Sequence, residues 1–456
     1  MNNLYSCSII VAQCTPNGQG ALALVRLTGD RVFELVDNMC VLPAKKKITN
    51  LPTHSVQYGT VVDINNEPID HVLFFKMDAP HTFTGLDTVE ITCHNNIFIV
   101  NALIENAINH GARIAEPGEF TKLAFLNKKI DLVQAESIDE LIHATSLAHA
   151  KSALKQLEGS FSASIDNLEQ QLLHLLTLCA ASFEFIEEEN IDFTQTIQKQ
   201  LSSIIEDIAR IEKNFDAQIQ LKEGFKIAFI GCVNAGKSSL FNAMLEKKRA
   251  IVNEKAGTTR DTIEATISKN GYYWTLIDTA GLRTTHDVIE QEGISKSLEQ
   301  AILADVLLLV YDSSRVLSTE EEMFYNKLIE THEAKIIKVY NKNDQEIPFS
   351  YLDGIGCSAL YNKGIDELTT AINKKINALT QKNELPFLVN KRHILLLQTV
   401  KAKIADVVLL CNKEKIAYEL VSCQLHDILV QLSEFSGNTI NEKIMDRVFE
   451  TFCVGK

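Results

Sequence analysis

The chain has 456 residues, of which 46% are hydrophobic, and a formal net charge of −15. Because this length exceeds one ordinary hydrophobic core, we expect roughly two to four domains. The acidic balance argues against indiscriminate binding to nucleic acid, although a local basic groove is compatible with it. No apolar run reaches the roughly 18 residues of a membrane-spanning helix, and the first residues lack the plan of a signal peptide. Ten cysteines without zinc-ligand spacing indicate reduced thiols, so we expect a cytoplasmic protein that binds no membrane.

Short strand-like runs mark the first 121 residues. Ile9–Ala12, Ala21–Val25 and Thr88–Thr92 are apolar and are separated by turn residues. This pattern predicts a small α+β domain over residues 1–121. Pattern alone indicates no function for it.

Two stretches with helical periodicity flank the middle of the chain, and apolar stripes of this kind are typical of the core of a bundle. The stripes comprise Ile165, Leu168, Leu172, Leu175 and Cys179; Ile404, Val407, Val408 and Cys411; and Val421, Leu425, Leu429 and Leu432. The sequence therefore predicts one discontinuous helical domain, residues 122–222 and 382–456. An inserted domain occupies residues 223–381, and Pro386 marks its exit hinge.

Residues 231–239, Gly-Cys-Val-Asn-Ala-Gly-Lys-Ser-Ser, have the spacing of a phosphate-binding loop. A strand-like run, Phe225–Ile230, precedes the loop, and Ser238–Leu245 continues as a helix whose N-terminus favours anions. The glycines allow successive backbone N–H groups to curl around phosphate oxygens. Lys237 is placed to reach the β- and γ-phosphates, and the Ser238 hydroxyl is placed to ligate Mg²⁺.

Further segments of a GTPase follow in order. The strand-like run Tyr272–Ile277 ends at Asp278–Gly281, which supplies a carboxylate near Mg²⁺ and a glycine N–H for the γ-phosphate. Two later runs, Val306–Val310 and Lys335–Tyr340, are apolar enough for buried parallel strands. The inserted domain is therefore predicted to be an α/β P-loop GTPase domain.

Two segments after these strands indicate which base is bound. Asn341–Asp344 reads Asn-Lys-Asn-Asp, and Asp344 can accept hydrogen bonds from the ring N–H and the amino group of guanine, which adenine cannot supply. Ser358–Leu360 follows as a loop whose backbone N–H groups can reach the base oxygen. The ordered set predicts guanine.

Leu282 and the loop at residues 257–261 bear on how this GTPase domain would hydrolyse GTP. Ras-like enzymes have a water-orienting glutamine directly after Asp-x-x-Gly, but this chain has Leu282, whose alkyl side chain cannot do that work. Hydrolysis is then either very slow or assisted by another group. In the predicted switch loop, Gly-Thr-Thr-Arg-Asp at 257–261, Thr259 is placed to complete the Mg²⁺ shell. Arg260 and Asp261 fit a switch role and a local surface ion pair equally well.

The GTPase motifs, with Asp-Thr-Ala-Gly-Leu-Arg at 278–283, resemble those of the MnmE (TrmE) family of tRNA modification GTPases. Segments outside the GTPase domain agree: Ile10–Gln13, Pro117–Thr121, Ala124–Asn127 and the terminal Phe452–Lys456. The resemblance spans essentially the whole chain. It implies an N-terminal folate-binding and dimerisation domain, a discontinuous helical domain and an inserted GTPase domain.

The resemblance also implies an activity. Members of this family act as homodimers and form a heterotetramer with the FAD-containing protein MnmG. Together they install an aminomethyl or carboxymethylaminomethyl group on carbon 5 of the wobble uridine of certain tRNAs. A tetrahydrofolate derivative, in its 5,10-methylene or 5-formyl form, supplies the one-carbon unit, and GTP hydrolysis drives the conformational change that the modification needs.

The resemblance implies that K⁺ compensates for the missing glutamine. One K⁺ would bind to each GTPase domain, between two paired GTPase domains. Asn234, Asn253, Lys255 and Thr258 match the family's potassium-binding positions, and Glu290 matches its catalytic glutamate. A monovalent cation beside the phosphates offsets charge that develops in the transition state. The full predicted GTP site comprises Asn234, Ala235, Gly236, Lys237, Ser238, Ser239, Asn253, Glu254, Lys255, Ala256, Gly257, Thr258, Thr259, Asp278, Thr279, Ala280, Gly281, Asn341, Lys342, Asn343, Asp344, Ser358, Ala359 and Leu360, with Mg²⁺ on Ser238 and Thr259.

Family positions for folate match Arg26, Glu90, Lys129 and Lys456, although on the residues alone each is an ordinary surface charge. Charged groups of these types suit the carboxylates and the pterin edge of folate. The resemblance further implies a part for the Cys453 thiol in the modification.

The N-terminal domain departs from the family pattern at several positions. Leu86 stands where the family usually has Glu, and Leu123 stands where it often has Arg. Gln19 and Ala21 replace Arg and Gly, and Asn95 and Asn96 replace two glycines, so the chain is a divergent member.

The alternative function is that of an Era-like regulatory or ribosome-assembly GTPase, which modifies nothing. The Era group shares the hydrophobic residue after Asp-x-x-Gly, but it lacks a long N-terminal domain. The interrupted bundle and the terminal Phe-Cys-Val-Gly-Lys favour the modifying GTPase.

Overall fold

The computed structural model describes residues 8–16, 18, 20–184, 193–215, 224–246, 263–269, 271–278, 302–344, 353–380, 387–412, 417–437, 439 and 442–455. The chain forms two compact units. The first comprises residues 1–139, 156–200 and 402–456, and the second comprises residues 140–155 and 201–401. In the part of the chain that the structure describes, no helix is long and apolar enough to cross a bilayer.

A seven-stranded sheet organises the N-terminal region. Its strands are β1 Ile10–Gln13, β2 Leu22–Thr28, β3 Cys40–Val41, β4 Ser55–Val62, β5 Pro68–Met77, β6 Thr88–His94 and β7 Arg113–Ile114, in the order β3-β4-β5-β6-β2-β1-β7. Pairing is antiparallel throughout except between β1 and β7. The three strands expected from the sequence are confirmed as β1, β2 and β6, and the α+β prediction holds.

Helices cover one face of this sheet, because buried apolar side chains alternate with more exposed side chains along its strands. Ala23, Val25 and Leu27 are fully buried on β2, and they share a hydrophobic cluster with residues of α1 Val32–Met39 and α2 Ile97–Asn109. A smaller cluster involves the following helix, α3 Glu119–Leu126, which contributes Phe120 and Leu123, with Leu86 packed against it. The two leucines that depart from the family pattern therefore lie in one apolar cluster.

The helical regions that precede and follow residues 223–381 in the sequence have the predicted periodicity. Their helices are α4 Leu132–Ile142, α5 Leu147–Leu157, α6 Ser160–Glu184, α7 Thr194–Lys213, α11 Lys391–Cys411, α12 Tyr418–Ser436 and α13 Glu442–Glu450. The stripe on α6 is buried as expected, and Phe161 of α6 packs edge-on against Phe435 of α12 at 5.8 Å between ring centroids. One detail of the α12 stripe was wrong: Ile428 is buried, whereas Leu429 is half-exposed, because both positions satisfy a three-or-four-residue spacing.

The second sheet has six strands, β8 Phe225–Ile230, β9 Ile263–Lys269, β10 Tyr272–Asp278, β11 Val306–Asp312, β12 Ile336–Asn341 and β13 Ile355–Gly356, in the order β13-β12-β11-β8-β10-β9. All neighbours run parallel except β9 and β10. Every residue of β11 is buried, as expected for a parallel strand covered on both faces. Its helices are α8 Lys237–Glu246, α9 Thr319–His332 and α10 Ile365–Thr380, and short 3₁₀ segments occur at Pro43–Lys45, Ile48–Asn50 and Glu333–Lys335.

Candidate functional site

The phosphate-binding loop lies at the carboxyl end of the central strand β8, as predicted, and α8 begins at Lys237. Gly236 has a φ of +88°, and a Cβ built on it would lie 2.1 Å from Nδ2 of Asn341. Glycine is therefore required here both for the backbone conformation and for the close approach. Asn234 also has a positive φ, 61°, in the left-handed region that asparagine tolerates.

Lys237 is held inside this loop. Its ammonium donates to the carbonyl oxygens of Gly231 at 2.7 Å and Cys232 at 2.9 Å, and the residue is only 9% exposed. Burial lowers the pKa of Lys237, while the negative charge of Asp278 acts in the opposite direction. The site therefore keeps a cation near a carboxylate at the edge where phosphates would bind.

Asp278 ends strand β10, and the parallel pairing with β8 places it beside Phe229. It is 2% exposed, and its negative charge acts on the Lys237 ammonium. Ser238 lies one residue into α8 and is exposed. A hydroxyl and a carboxylate are hard oxygen donors of the kind that Mg²⁺ prefers, so these residues fit that ion.

Asn341 joins three loops of the predicted site. Its Nδ2 donates to the carbonyl oxygen of Ala235 at 3.0 Å, and its Oδ1 accepts from the backbone N–H of Ala359 at 3.2 Å. Nearby, the Ser358 hydroxyl donates to Oδ1 of Asp344 at 2.5 Å. The structure thus brings together the phosphate-binding loop, the Asn341–Asp344 segment and the Ser358–Leu360 segment.

Sequence reasoning missed Asp312, which is 7% exposed at the end of β11. Lys342, the second residue of the base-recognition segment, donates to Oδ2 of Asp312 at 2.5 Å. Burial alone would raise the pKa of Asp312, but hydrogen bonds from Lys342 and Ser314 bring it below its ordinary value. The sequence signal for Asp312 was its position as an acidic residue at the end of an otherwise apolar strand, β11.

The folate candidates lie in the first unit. Arg26 and Glu90 face each other across β2 and β6, and Nη2 of Arg26 lies 2.7 Å from Oε1 of Glu90. The guanidinium carbon is 5.7 Å from the ring centroid of Phe83 and 5.5 Å from that of Phe120. Lys129 donates to the carbonyl oxygen of Pro80 at 2.9 Å, in the loop that also carries Phe83.

The C-terminal segment contacts two places in the N-terminal region. The carbonyl oxygen of Cys453 accepts from the N–H of Gly118 at 3.3 Å, and its side chain is exposed. The Cys14 thiol donates to the carbonyl oxygen of Gly455 at 3.1 Å. Cys14 directly follows β1, in which Ala12 pairs with Arg26. Cys453 therefore lies in a segment that contacts the chain directly after β1, the strand that pairs with the strand carrying Arg26.

Several predicted residues lie outside the described part of the chain, and their roles stay predictions. They are Asn253, Glu254, Lys255, Ala256, Gly257, Thr258 and Thr259; Arg260 and Asp261; Thr279, Ala280, Gly281 and Leu282; Glu290; and Lys456.

Comparison with known proteins agrees with this geometry. Residues 9–129 match the model "GTP-binding protein TrmE N-terminus", and residues 132–453 match "MnmE helical domain". The "tRNA modification GTPase MnmE" of Geobacillus kaustophilus is 36% identical over 98% of this chain and 99% of that protein. The protein of the same name from Aquifex aeolicus is 37% identical over 98% of this chain and 99% of that protein. The chain therefore belongs to the MnmE family of tRNA modification GTPases.

Proposed function

We propose that this protein hydrolyses GTP to drive an aminomethyl or carboxymethylaminomethyl modification at carbon 5 of the wobble uridine of certain tRNAs. The observation that carries the proposal is the meeting of Lys237, Asp278 and Asn341 at one sheet edge, in a chain of this family. The proposed assembly is a homodimer that joins an FAD-containing MnmG partner and a tRNA. The proposed domains are residues 1–121, 122–222 with 382–456, and 223–381.

In this proposal, each residue of the GTP site has a distinct task. Lys237, oriented by its two carbonyl partners, directs its remaining N–H to the β- and γ-phosphates, and Asp344 accepts from guanine. Ser238 and Thr259 hold Mg²⁺, which when bound neutralises charge on the phosphate oxygens. Asn341 keeps the base and phosphate segments in register.

Because Leu282 cannot orient water, the proposal includes K⁺ as the element that supplies positive charge. Asn234 is exposed on the phosphate-binding loop, where its amide oxygen is a suitable donor for a monovalent cation. Asn253, Lys255 and Thr258 would complete the site. Glu290 is the proposed catalytic glutamate that orients the water indirectly.

For the one-carbon unit, we place a tetrahydrofolate derivative at Arg26, Glu90, Lys129 and Lys456. The side chains of Arg26 and Glu90 are 18% and 20% exposed, and Phe83 beside them is also exposed. A partly open ion pair next to an aromatic ring fits a flat ligand that carries both an amide edge and carboxylates. The exposed Cys453 thiol is the proposed further participant in the modification.

The test is mass spectrometry of wobble uridines from tRNA of cells that lack this protein. We expect the modified nucleoside to disappear, to return with the wild-type chain and to stay absent with Lys237→Ala. Arg31→Ala, which removes an exposed cation outside the site, serves as the matched control and should restore modification. Unchanged wobble uridines in the deficient cells would overturn the proposal.

A further inference from the structure

The start of the phosphate-binding loop is tied to a buried tyrosine on helix α9. The Tyr325 hydroxyl accepts from the backbone N–H of Cys232 at 2.9 Å and donates to the carbonyl oxygen of Val310 at 2.7 Å. Tyr325 is 2% exposed, and burial raises the pKa of its hydroxyl, which therefore stays protonated and able to donate. This side chain has no part in the function proposed above.

One peptide group connects Tyr325 to Lys237. The N–H of Cys232 and the carbonyl of Gly231 belong to the same planar unit. Tyr325 binds the N–H end of this unit, and the Lys237 ammonium binds the carbonyl end at 2.7 Å. Rotation of the peptide would break both hydrogen bonds together, so the tyrosine fixes the direction from which Lys237 is held.

Gly231 makes this arrangement possible. A Cβ built on Gly231 would lie 2.2 Å from the carbonyl oxygen of Val310 and 3.1 Å from the Tyr325 hydroxyl. Only glycine lets both partners approach so closely. The Tyr325 ring itself stacks on Tyr311 at 4.1 Å between centroids, which holds the hydroxyl in place independently of the loop.

We propose that Tyr325 is a positioning residue for the nucleotide site, which acts through the Gly231–Cys232 peptide on Lys237. The inference rests on the proposed binding of GTP at this loop and adds a residue to that site. Since Lys237 reaches the β- and γ-phosphates, the contribution of Tyr325 depends on the number of phosphates in the ligand.

The experiment measures the affinities of GTP, GDP and GMP for the full-length wild type, Tyr325→Phe and Tyr311→Phe. Tyr325→Phe retains the ring stack and removes only the hydroxyl. We expect GTP and GDP to bind about fivefold more weakly to Tyr325→Phe, the effect of one ordinary hydrogen bond, and GMP to bind as before. Tyr311→Phe should behave as the wild type for all three ligands. In a Lys237→Met background, Tyr325→Phe should change GDP affinity no further.

The outcomes separate this inference from the proposed function. Equal GTP and GDP affinities for the wild type and Tyr325→Phe would overturn the positioning role alone. An equal loss of affinity for GMP would also overturn the positioning role, because a general structural defect weakens the binding of all three nucleotides. A wild-type protein that binds no GTP would overturn the proposed function together with this inference.

Discussion

Asn341 shows how one side chain can hold a composite site together. Position 341 requires a side chain that donates to the carbonyl oxygen of Ala235 and accepts from the N–H of Ala359. Aspartate has the same shape but offers no donor, so it would turn a negatively charged oxygen toward a carbonyl. The chemistry of the amide, more than its size, makes this residue suitable.

The proposed recognition of guanine by Asp344 can be tested with a single substitution. Asp344→Asn places an amide donor where guanine presents its amino group, and xanthine instead presents an acceptor at that position. We expect GTP affinity to fall at least about 100-fold and xanthosine triphosphate to become the better ligand, because two hydrogen bonds to a charged group are lost.

Competition binding with the two nucleotides measures this change in preference. Asp353→Asn is the matched control, since Asp353 is an exposed carboxylate of the same unit that pairs with Lys338. An Asp344→Asn variant that still prefers GTP would show that this residue does not read the base.

Helix α9 is the element that links the sheet to the phosphate-binding loop. Ser318 and Glu321 form a capping box at its first turn, in which the Ser318 hydroxyl accepts from Glu321 N at 3.2 Å. Arg315 donates to Oε2 of Glu321 at 2.8 Å and lies 3.8 Å from Asp312. The cap therefore joins the start of α9, which carries Tyr325, to the carboxylate that pairs with Lys342.

The second prediction concerns the acid stability of this cap. Hydrogen bonds from Arg315 lower the pKa of Glu321 from its ordinary 4.5 to about 2. A carboxylate with a lowered pKa stabilises the folded state above its ordinary pKa, and this stabilisation is lost as pH falls toward the lowered value. Glu321→Gln should therefore cost about 1 kcal/mol at pH 7, and its difference from the wild type should shrink between pH 4.5 and about 2.

Fluorescence of Trp274 suits this measurement because the chain has one tryptophan and it is fully buried in the second unit. Glu322→Gln is the control, since Glu322 lies in the same first turn and is exposed. A gap between Glu321→Gln and the wild type that stays constant with pH would contradict the assigned role of Glu321.

At the scale of the whole molecule, both units are assembled from segments that are distant in the sequence. In the first unit, Cys14 contacts Gly455 across 441 positions, and Lys122 lies 2.7 Å from Asp446. Helix α13 and the residues after it thus complete the N-terminal region.

The third prediction concerns the proposed K⁺ dependence of the assembled protein. GTP turnover should be about tenfold or more faster in K⁺ than in Na⁺ at equal ionic strength, because the cation offsets transition-state charge. Asn234→Ala should abolish this preference. Asn362→Ala is a close control, since both asparagines are exposed in the second unit with positive φ angles of 61° and 55°.

Steady-state phosphate release in the two salts checks this expectation. Equal wild-type rates in K⁺ and Na⁺ would remove the cation from the proposal. A preference that survives Asn234→Ala would remove this residue from the cation site.

Features that depend on neighbouring residues could be predicted from the sequence. Local spacing and periodicity predicted loop 231–239, the strands that deliver Asp278 and Asn341, and the stripe on α6. The family followed from the resemblance of the motifs to those of known proteins. Spacing becomes ambiguous where neighbouring positions are both apolar, so the pattern predicts a buried Leu429 although Ile428 is the buried residue.

Which side chains meet depends on the fold. Asn341 and Ala235 are 106 positions apart, Cys232 and Tyr325 are 93 apart, and Arg26 and Glu90 are 64 apart. Each contact depends on strand order and register, which no local pattern specifies, because pairing is set by burial across the whole sheet. The phosphate-binding loop could therefore be predicted from the sequence. The contacts of Tyr325 and Asn341 that orient this loop could be identified only from the fold.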